Sequence, residues 1–251
     1  MNLLSSTSIF GFYTLLSRVL GYFRDILIAI FLGTSMYADA FFIAFRLPNT
    51  FRRLFAEGTF NAAFIPSYAE EKLKGEDLGK KFADEIFSLL LLFLIFLIII
   101  IEIFTPFLVY LIAPGFYEDS EKFSLATEFT RITFPFLLFV SLSSLLSGIL
   151  NTNNKFAAAA AAPIVLNIVL ILFLLISFYY NQNIAKSLSI GVTLAGILQF
   201  IILTIFTKKF YFPSVKFIFR FNEKIKKFFR KLLPSIFSSG ITQINILVGT
   251  I

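Results

Sequence analysis

The stretch Ser17-Arg18-Val19-Leu20-Gly21-Tyr22-Phe23-Arg24-Asp25 lies inside the first long apolar run of the chain, and its continuation from Asp39 to Glu57 lies inside the second. Both runs exceed the length of about 20 residues that a helix needs to cross a bilayer. Yet between them they carry Arg18, Arg24, Asp25, Asp39, Arg46, Arg52, Arg53 and Glu57. An arginine at the centre of a spanning helix costs roughly 2.5–3.5 kcal/mol on insertion scales, so three or four approach about 10 kcal/mol. Snorkelling at the helix ends avoids part of that cost. The remainder has to be offset by a wet cavity or by partners, so the first two helices are expected to line a polar pathway.

Composition sets the class. With 58% hydrophobic and 15% charged residues and a mean hydropathy of +0.87, the chain departs from the profile of a soluble domain and reads as an all-α integral membrane protein. It contains no Cys and no His. Disulfides, thiolate metal sites, cysteine nucleophiles and the commonest general base are therefore excluded, and neither enzymatic chemistry nor a metal or other cofactor is expected. The first residues, Met1-Asn2-Leu3-Leu4-Ser5-Ser6, lack the basic region and small-residue cleavage site of a signal peptide, so the first helix is expected to be retained.

The apolar runs predict seven helices, over about 8–33, 36–68, 82–112, 122–151, 156–180, 185–207 and from 224 onward. Leu47-Pro48-Asn49 should kink or break the second, because proline lacks the backbone donor. Residues 1–207 thus read as a six-helix bundle, 208–231 as a basic amphipathic connection and 232–251 as the start of a seventh helix. The last run carries Ser235, Ser238, Ser239, Thr242, Gln243 and Asn245 and reads as the middle of a longer transporter.

Orientation follows from the loops. With the amino terminus inside, the inner connections hold 14 Lys and Arg residues, among them Lys72, Lys81, Lys155, Lys208 and Arg230, whereas the outer loops hold 2, Lys122 and Lys186. The positive-inside rule then selects a cytoplasmic amino terminus. The basic stretch 208–231, interleaved with Phe210, Tyr211, Phe217, Phe219 and Phe221, reads as a segment lying on anionic membrane lipids rather than as a nucleic-acid patch.

At 100° per residue, Arg18 and Asp25 share a face of the first helix, and Arg24 sits about 120° away from Arg18. On the second helix Asp39, Arg46 and Arg53 recur every seven residues, and Arg53 and Glu57 are spaced for an i,i+4 pair. An ion pair of Arg18 with Asp25 or Asp39, or of Arg46 with Asp39, is the structural alternative to a substrate contact. Arg131 is expected to pair with Glu128 or to snorkel. A surplus of guanidinium groups remains, and their planar forks suit an anionic, phosphate-bearing substrate. The small residues Ser141, Ser144, Ser147 and Gly148, and the run Ala157 to Ala162, are expected to let helices pack closely rather than to bind a ligand.

These residues carry a resemblance. Ser17-Arg18-Val19-Leu20-Gly21, Arg24-Asp25, Ala38-Asp39-Ala40-Phe41-Phe42, Leu47-Pro48-Asn49, Arg52-Arg53 and Phe55-Ala56-Glu57-Gly58 resemble the amino-terminal signature of the MurJ/MviN family. Ala113-Pro114-Gly115-Phe116, Ile132-Thr133-Phe134-Pro135 and Ile149-Leu150-Asn151-Thr152 support it. The resemblance implies a two-lobed lipid II flippase of the multidrug/oligosaccharidyl-lipid/polysaccharide exporter superfamily, in the bacterial cytoplasmic (inner) membrane and serving peptidoglycan and cell-wall biogenesis. It implies that Arg18, Arg24 and Arg52 are cavity arginines holding the diphosphate of lipid II and that Asp39 is a required acidic residue. Asp25, Arg46, Pro48, Asn49, Arg53 and Glu57 are then supporting or gating positions. This chain is similar to the first lobe only, so a missing second lobe is an implied partner. The competing readings are another exporter of that superfamily, moving a different polyprenyl-linked glycan or a drug, and a transport-inactive scaffold.

The topology is open to direct test. Single cysteines introduced at Gly75 and Ser214, in a chain that has none, should resist an impermeant thiol reagent applied to intact cells, while a control cysteine in an outer loop reacts. Labelling at either position reverses the orientation.

Overall fold

The computed structural model describes the backbone of residues 3–55, 59–215 and 223–248 and the side chains of 8–52, 59–215 and 223–235. Among these residues the chain forms nine α-helices: α1 (Leu3–Leu32), α2 (Met36–Phe55), α3 (Thr59–Lys74), α4 (Glu76–Ile112), α5 (Ser120–Thr133), α6 (Phe136–Thr152), α7 (Phe156–Tyr179), α8 (Ile184–Thr207) and α9 (Glu223–Val248), with a 3-10 segment at Pro114–Glu118. Four elements are long and apolar enough to cross a membrane: α4, α5 with α6 taken as one span, α7 and α8. The bundle is an all-α integral membrane protein.

Two of the predicted runs differ in detail from expectation. The second is described as α2 and α3, and α2 runs on through Pro48 rather than breaking there. The fourth is stepped at Phe134-Pro135. Both residues keep right-handed helical angles (φ −65°, ψ −33° and φ −58°, ψ −20°), so the step tightens the chain without ending the span. α4 starts at Glu76, six residues before its expected start, and kinks at Phe104 (φ −96°, ψ 15°) ahead of Pro106. α9 begins inside the stretch expected as the basic connection and continues unbroken through the apolar run.

Proline explains several of the polar contacts between helices. Pro48 has no N–H to give the carbonyl of Ala44, one turn back. Thr133 of α5 supplies the donor instead, its Oγ1 donating to Ala44 O at 2.8 Å in a buried site. The next carbonyl, Phe45 O, accepts from Asn49 Nδ2 at 2.9 Å, the local bond expected of Asn49. The same device recurs in α4. Pro106 withdraws the donor from Glu102 O, and Thr105 Oγ1 donates to both Ile101 O (2.7 Å) and Glu102 O (3.2 Å). At the step between α5 and α6, Thr193 of α8 donates to Ile132 O. In a membrane no water is at hand for such carbonyls, and a threonine hydroxyl, from the same helix or a neighbouring one, takes its place.

Side chains pack in three clusters. One joins α3, α4, α6 and α9 through stacked rings: Phe64 lies 5.3 Å from Phe60 and 5.6 Å from Tyr68 between ring centroids, with Phe228 of α9 edge-on to Phe60 and Phe82. A second, around Phe41, Phe129, Phe136, Leu170 and Leu188, binds α2 and α5 to α7 and α8. The third sets Leu47 of α2 against Leu94 and Ile101 of α4 and Phe134 and Leu137 at the step. α1 packs mainly on α7 and leaves Phe12, Val19, Tyr22 and Ile30 exposed.

The bond from Thr133 to Ala44 makes a conditional prediction. Thr133→Val orphans a buried carbonyl and should cost about 1–3 kcal/mol in unfolding free energy. Pro48→Ala restores the missing N–H, so the same Thr133→Val change in that background should cost close to nothing. Denaturant unfolding in detergent, run as a double-mutant cycle, checks this; equal costs in both backgrounds refute the account.

Candidate functional site

A cavity of about 670 Å3 opens between α1, α2, α3, α6, α7 and α8. Of the arginines expected to face a polar pathway, Arg18 of α1 and Arg52 of α2 line it. Ser17 and Thr14 extend the α1 face, and Gln199, buried on α8, lies in the lining. The opposite wall is α6. Val140, Ser143, Ser144, Ser147 and Asn151 line the cavity at helical spacings of three and four. Asn61 of α3 joins this wall, its Nδ2 donating to Ser144 Oγ at 3.1 Å. Gly148 makes that approach possible, since a Cβ there would lie 2.7 Å from Asn61 Oδ1 and 2.8 Å from Phe64 Cδ1.

The small residues therefore divide in a way the sequence does not foretell. Gly148 serves close packing as expected, and Ser141 is buried. Ser144, Ser147, Ala159, Ala160 and Ala162 line the cavity. The reason is geometric: the helix face that lets neighbours approach is continuous with the face that forms the wall.

Arg24 sits elsewhere. Its Nη1 donates to Asn167 Oδ1 on α7 at 2.8 Å, while Nε and Nη2 donate to Asp25 Oδ1 at 3.0 and 2.7 Å. The guanidinium carbon lies 5.5 Å from the centre of the Phe45 ring of α2. Asn167 Nδ2 in turn donates to Ser17 O at 2.9 Å. Arg24 is thus anchored to α1, α2 and α7 at the edge of the cavity, where Ser17 and Leu166 are both lining residues. Asn167 was missed in the sequence; a single carboxamide within the apolar run 156–179 was the available signal.

Asp39 pairs with neither of the arginines weighed as its partners. Its Oδ2 is 2.5 Å from Lys122 Nζ of α5, and that ammonium lies 4.3 Å from the centre of the Phe116 ring. Neither Arg18 nor Arg46 is the partner. Arg46 is seven residues further along the same helix, about 10 Å in rise, and a shared stripe does not close that distance. Asp119 caps α5 by accepting from Glu121 N and Lys122 N, which fixes the turn that presents Lys122. The same reasoning separates Arg18 from Asp25, which binds Arg24. Glu128 pairs with Lys186 at 2.8 Å, not with Arg131, which instead lies within electrostatic reach of Glu102. Pro48 is buried, and Asn49 is committed to the backbone of its own helix. Arg46 is half-buried on α2. The side chain of Arg53, and Glu57, lie outside the described residues, so their i,i+4 pair does too.

At the end of the bundle carrying the Lys-rich connections, α3 is tied to α9. Glu71, buried, pairs with Lys74 (2.7 Å) and Lys224 (2.5 Å), and Glu70 pairs with Lys227 (2.9 Å). Hydrogen bonds from Lys227 and Lys74 hold the Glu70 carboxyl below the usual carboxylate range. Lys72 donates to Asn153 at the end of α6.

Comparison with known proteins places this arrangement. The family profile described as "Lipid II flippase MurJ" matches residues 28–251. A "Probable lipid II flippase MurJ" of Rickettsia prowazekii is 42% identical over 252 residues, covering 99% of this chain and 49% of that protein. The "Lipid II flippase MurJ" of Burkholderia cenocepacia is 34% identical over 255 residues, covering 100% and 49%. The chain spans about half the length of the curated relatives it matches. A solved structure of lipid II flippase MurJ in an inward closed conformation superposes with a TM-score of 0.77 at 32% identity, over 95% of this chain and 49% of that one. A transporter of the MOP superfamily from Pyrococcus furiosus shares the fold alone, with a TM-score of 0.69 at 15% identity over 96% of this chain and 54% of that one. With a family profile over residues 28–251 and relatives aligned along its whole length, the chain belongs to the MurJ family of lipid II flippases.

Proposed function

We propose that this chain is one lobe of a lipid II flippase, working with a second lobe to carry the headgroup of a polyprenyl-diphosphate-linked disaccharide-pentapeptide across the bacterial inner membrane. The observation that carries this reading is the pairing of Arg18 and Arg52, from two different helices, on one 670 Å3 cavity within a membrane bundle. Guanidinium forks in a site shielded from water favour a diphosphate, whereas a cavity for cationic drugs would be expected to rely on carboxylates. The amino terminus and the Lys-rich connections face the cytoplasm in this reading, and the headgroup enters from that side while its tail stays in lipid. Rocking of the two lobes then exposes it on the outer side, as in other repeat-built transporters. No bond is made or broken.

Roles divide along the geometry. Arg18 and Arg52 contact the diphosphate. Arg24, held by Asp25 and Asn167, guards the edge of the path and meets the substrate as it passes. Asp39, through Lys122, fixes α2 against α5. Asp25 orients Arg24, and Pro48 with Asn49 shapes the helix that carries Arg52.

Binding of lipid II to the purified chain in lipid nanodiscs tests the reading. A charge-assisted hydrogen bond is worth roughly 1.5–3 kcal/mol, so Arg18→Ala and Arg52→Ala should each weaken binding about ten- to a hundredfold. Arg18→Lys and Arg52→Lys keep the charge without the fork and should fall between parent and alanine variants. The alanine variants should insert normally, since they lose a charge from the membrane. If both bind lipid II as the parent does, the cationic-cavity mechanism is wrong and a transport-inactive scaffold takes its place.

A further inference from the structure

The wall opposite the arginines has its own chemistry. Ser143, Ser147 and Asn151 of α6 and Asn61 of α3 all line the cavity. Three of their oxygens, Asn61 Oδ1, Ser143 Oγ and Asn151 Oδ1, are sealed from solvent and have no hydrogen-bond partner among the described residues. Ser143 itself is only 3% exposed. Buried polar atoms are nearly always satisfied, and each orphan costs about 1–3 kcal/mol. Three on one wall of one cavity mark a surface completed by something outside the chain. Each oxygen is carried by a side chain that lines the open space.

The kind of occupant follows from donor and acceptor type. A diphosphate at neutral pH presents acceptors and suits guanidinium, which only donates. The two carboxamide oxygens are acceptors and gain nothing from it. They need O–H or N–H groups, and the Ser143 hydroxyl can take part in either sense. On this basis we propose that the α6–α3 wall is a glycan subsite: Asn61, Ser143 and Asn151 accept from sugar hydroxyl or acetamido groups attached to the diphosphate that Arg18 and Arg52 hold. This rests on the reading given under Proposed function and adds to it a discrimination that the arginines lack. Arginines alone retain any polyprenyl diphosphate; the wall retains one that bears a sugar. Ser143 and Asn151 are eight residues apart, about 12 Å along the helix, so the contacts are spread along the headgroup rather than gathered at one ring.

Paired probes separate this proposal from the one it rests on. Binding of lipid II and of unglycosylated undecaprenyl diphosphate is measured on the purified chain in nanodiscs, for the parent, Ser143→Ala, Asn151→Leu, the double variant and Arg18→Ala. The double variant should lose about tenfold or more in affinity for lipid II and less than twofold for undecaprenyl diphosphate, while Arg18→Ala weakens both. Stability gives an independent reading. Deleting an orphaned polar atom is neutral or stabilising, so Ser143→Ala should hold or raise the melting temperature as its lipid II binding falls, which a merely structural serine would not do. Unchanged lipid II binding in the double variant makes the wall a hydrated surface and overturns the glycan subsite alone. Equal losses for both probes overturn it too, by showing that the wall acts through cavity shape. A parent that binds neither probe overturns the flippase reading, and the subsite with it.

Discussion

The bilayer supplies no water to satisfy a backbone, and this one constraint organises the contacts between helices. Five prolines lie inside described helices, Pro48, Pro66, Pro106, Pro163 and Pro234, and each removes an N–H from a carbonyl one turn earlier. At Pro48 and Pro106 a threonine hydroxyl fills the gap, once from a neighbouring helix and once from the same one. The hydroxyl of Thr133 therefore decides more than a local bond. It fixes where α5 sits along α2, hence where the step at Phe134-Pro135 falls, and so which face α6 turns to the cavity. A polar requirement of the backbone thus becomes the placement of a wall.

The charged residues follow a second rule, that those within the membrane are divided between anchoring and exposure. Arg24 is committed to three helices through Asp25, Asn167 and Phe45, whereas Arg18 and Arg52 meet an open volume. The first arrangement offsets the cost of the charge within the protein. The second sets guanidinium groups on a face that an occupant of the cavity can reach. Asp39 and Lys122 belong to the first class, and their contact lies at the opposite end of α2 from Arg52.

Much of this was legible in the sequence. The apolar runs located the four elements that are long and apolar enough to cross a membrane among the described residues, because about twenty largely uncharged residues have few other readings, and the arginines of the first two runs announced a polar interior. The course of α2 at Pro48 was not legible. Proline there reads as a kink or break, but a tertiary hydroxyl lets the helix proceed. Pairings failed for a related reason. Helical phase relates residues on one helix, but Asp39 and Lys122 are 83 positions apart and meet only once α2 has packed on α5. The serines of α6 were read as packing residues because composition cannot say which side of a small-residue stripe faces a neighbour and which faces a void. Asn167 could have been found: a carboxamide in the midst of an apolar run is costly enough to imply a partner.

α4 has a consequence for depth. At 37 residues it is about 55 Å long, against a hydrocarbon core of about 30 Å, so a good part of it stands outside the core or is taken up by tilt. The ridge of Phe93, Phe96, Ile103 and Phe107 is exposed along the apolar length of the helix, whereas the first turns carry Glu76, Asp77, Lys80 and Lys81 on their exposed side and belong in water. This helix fixes the immersion of the whole bundle. Lys72 links the charged end of α4, through Glu76, to Asn153 at the end of α6, so Asn151 lies near the aqueous boundary and Ser143 about two turns deeper. The cavity wall therefore spans a gradient of dielectric. Near the boundary a hydrogen bond to the wall is worth little more than the bond to water that it replaces. With depth the same bond strengthens, while a polar group left without one grows more costly. On the proposed function, a headgroup moving inward meets its most discriminating partners last, after most of its hydration has been shed.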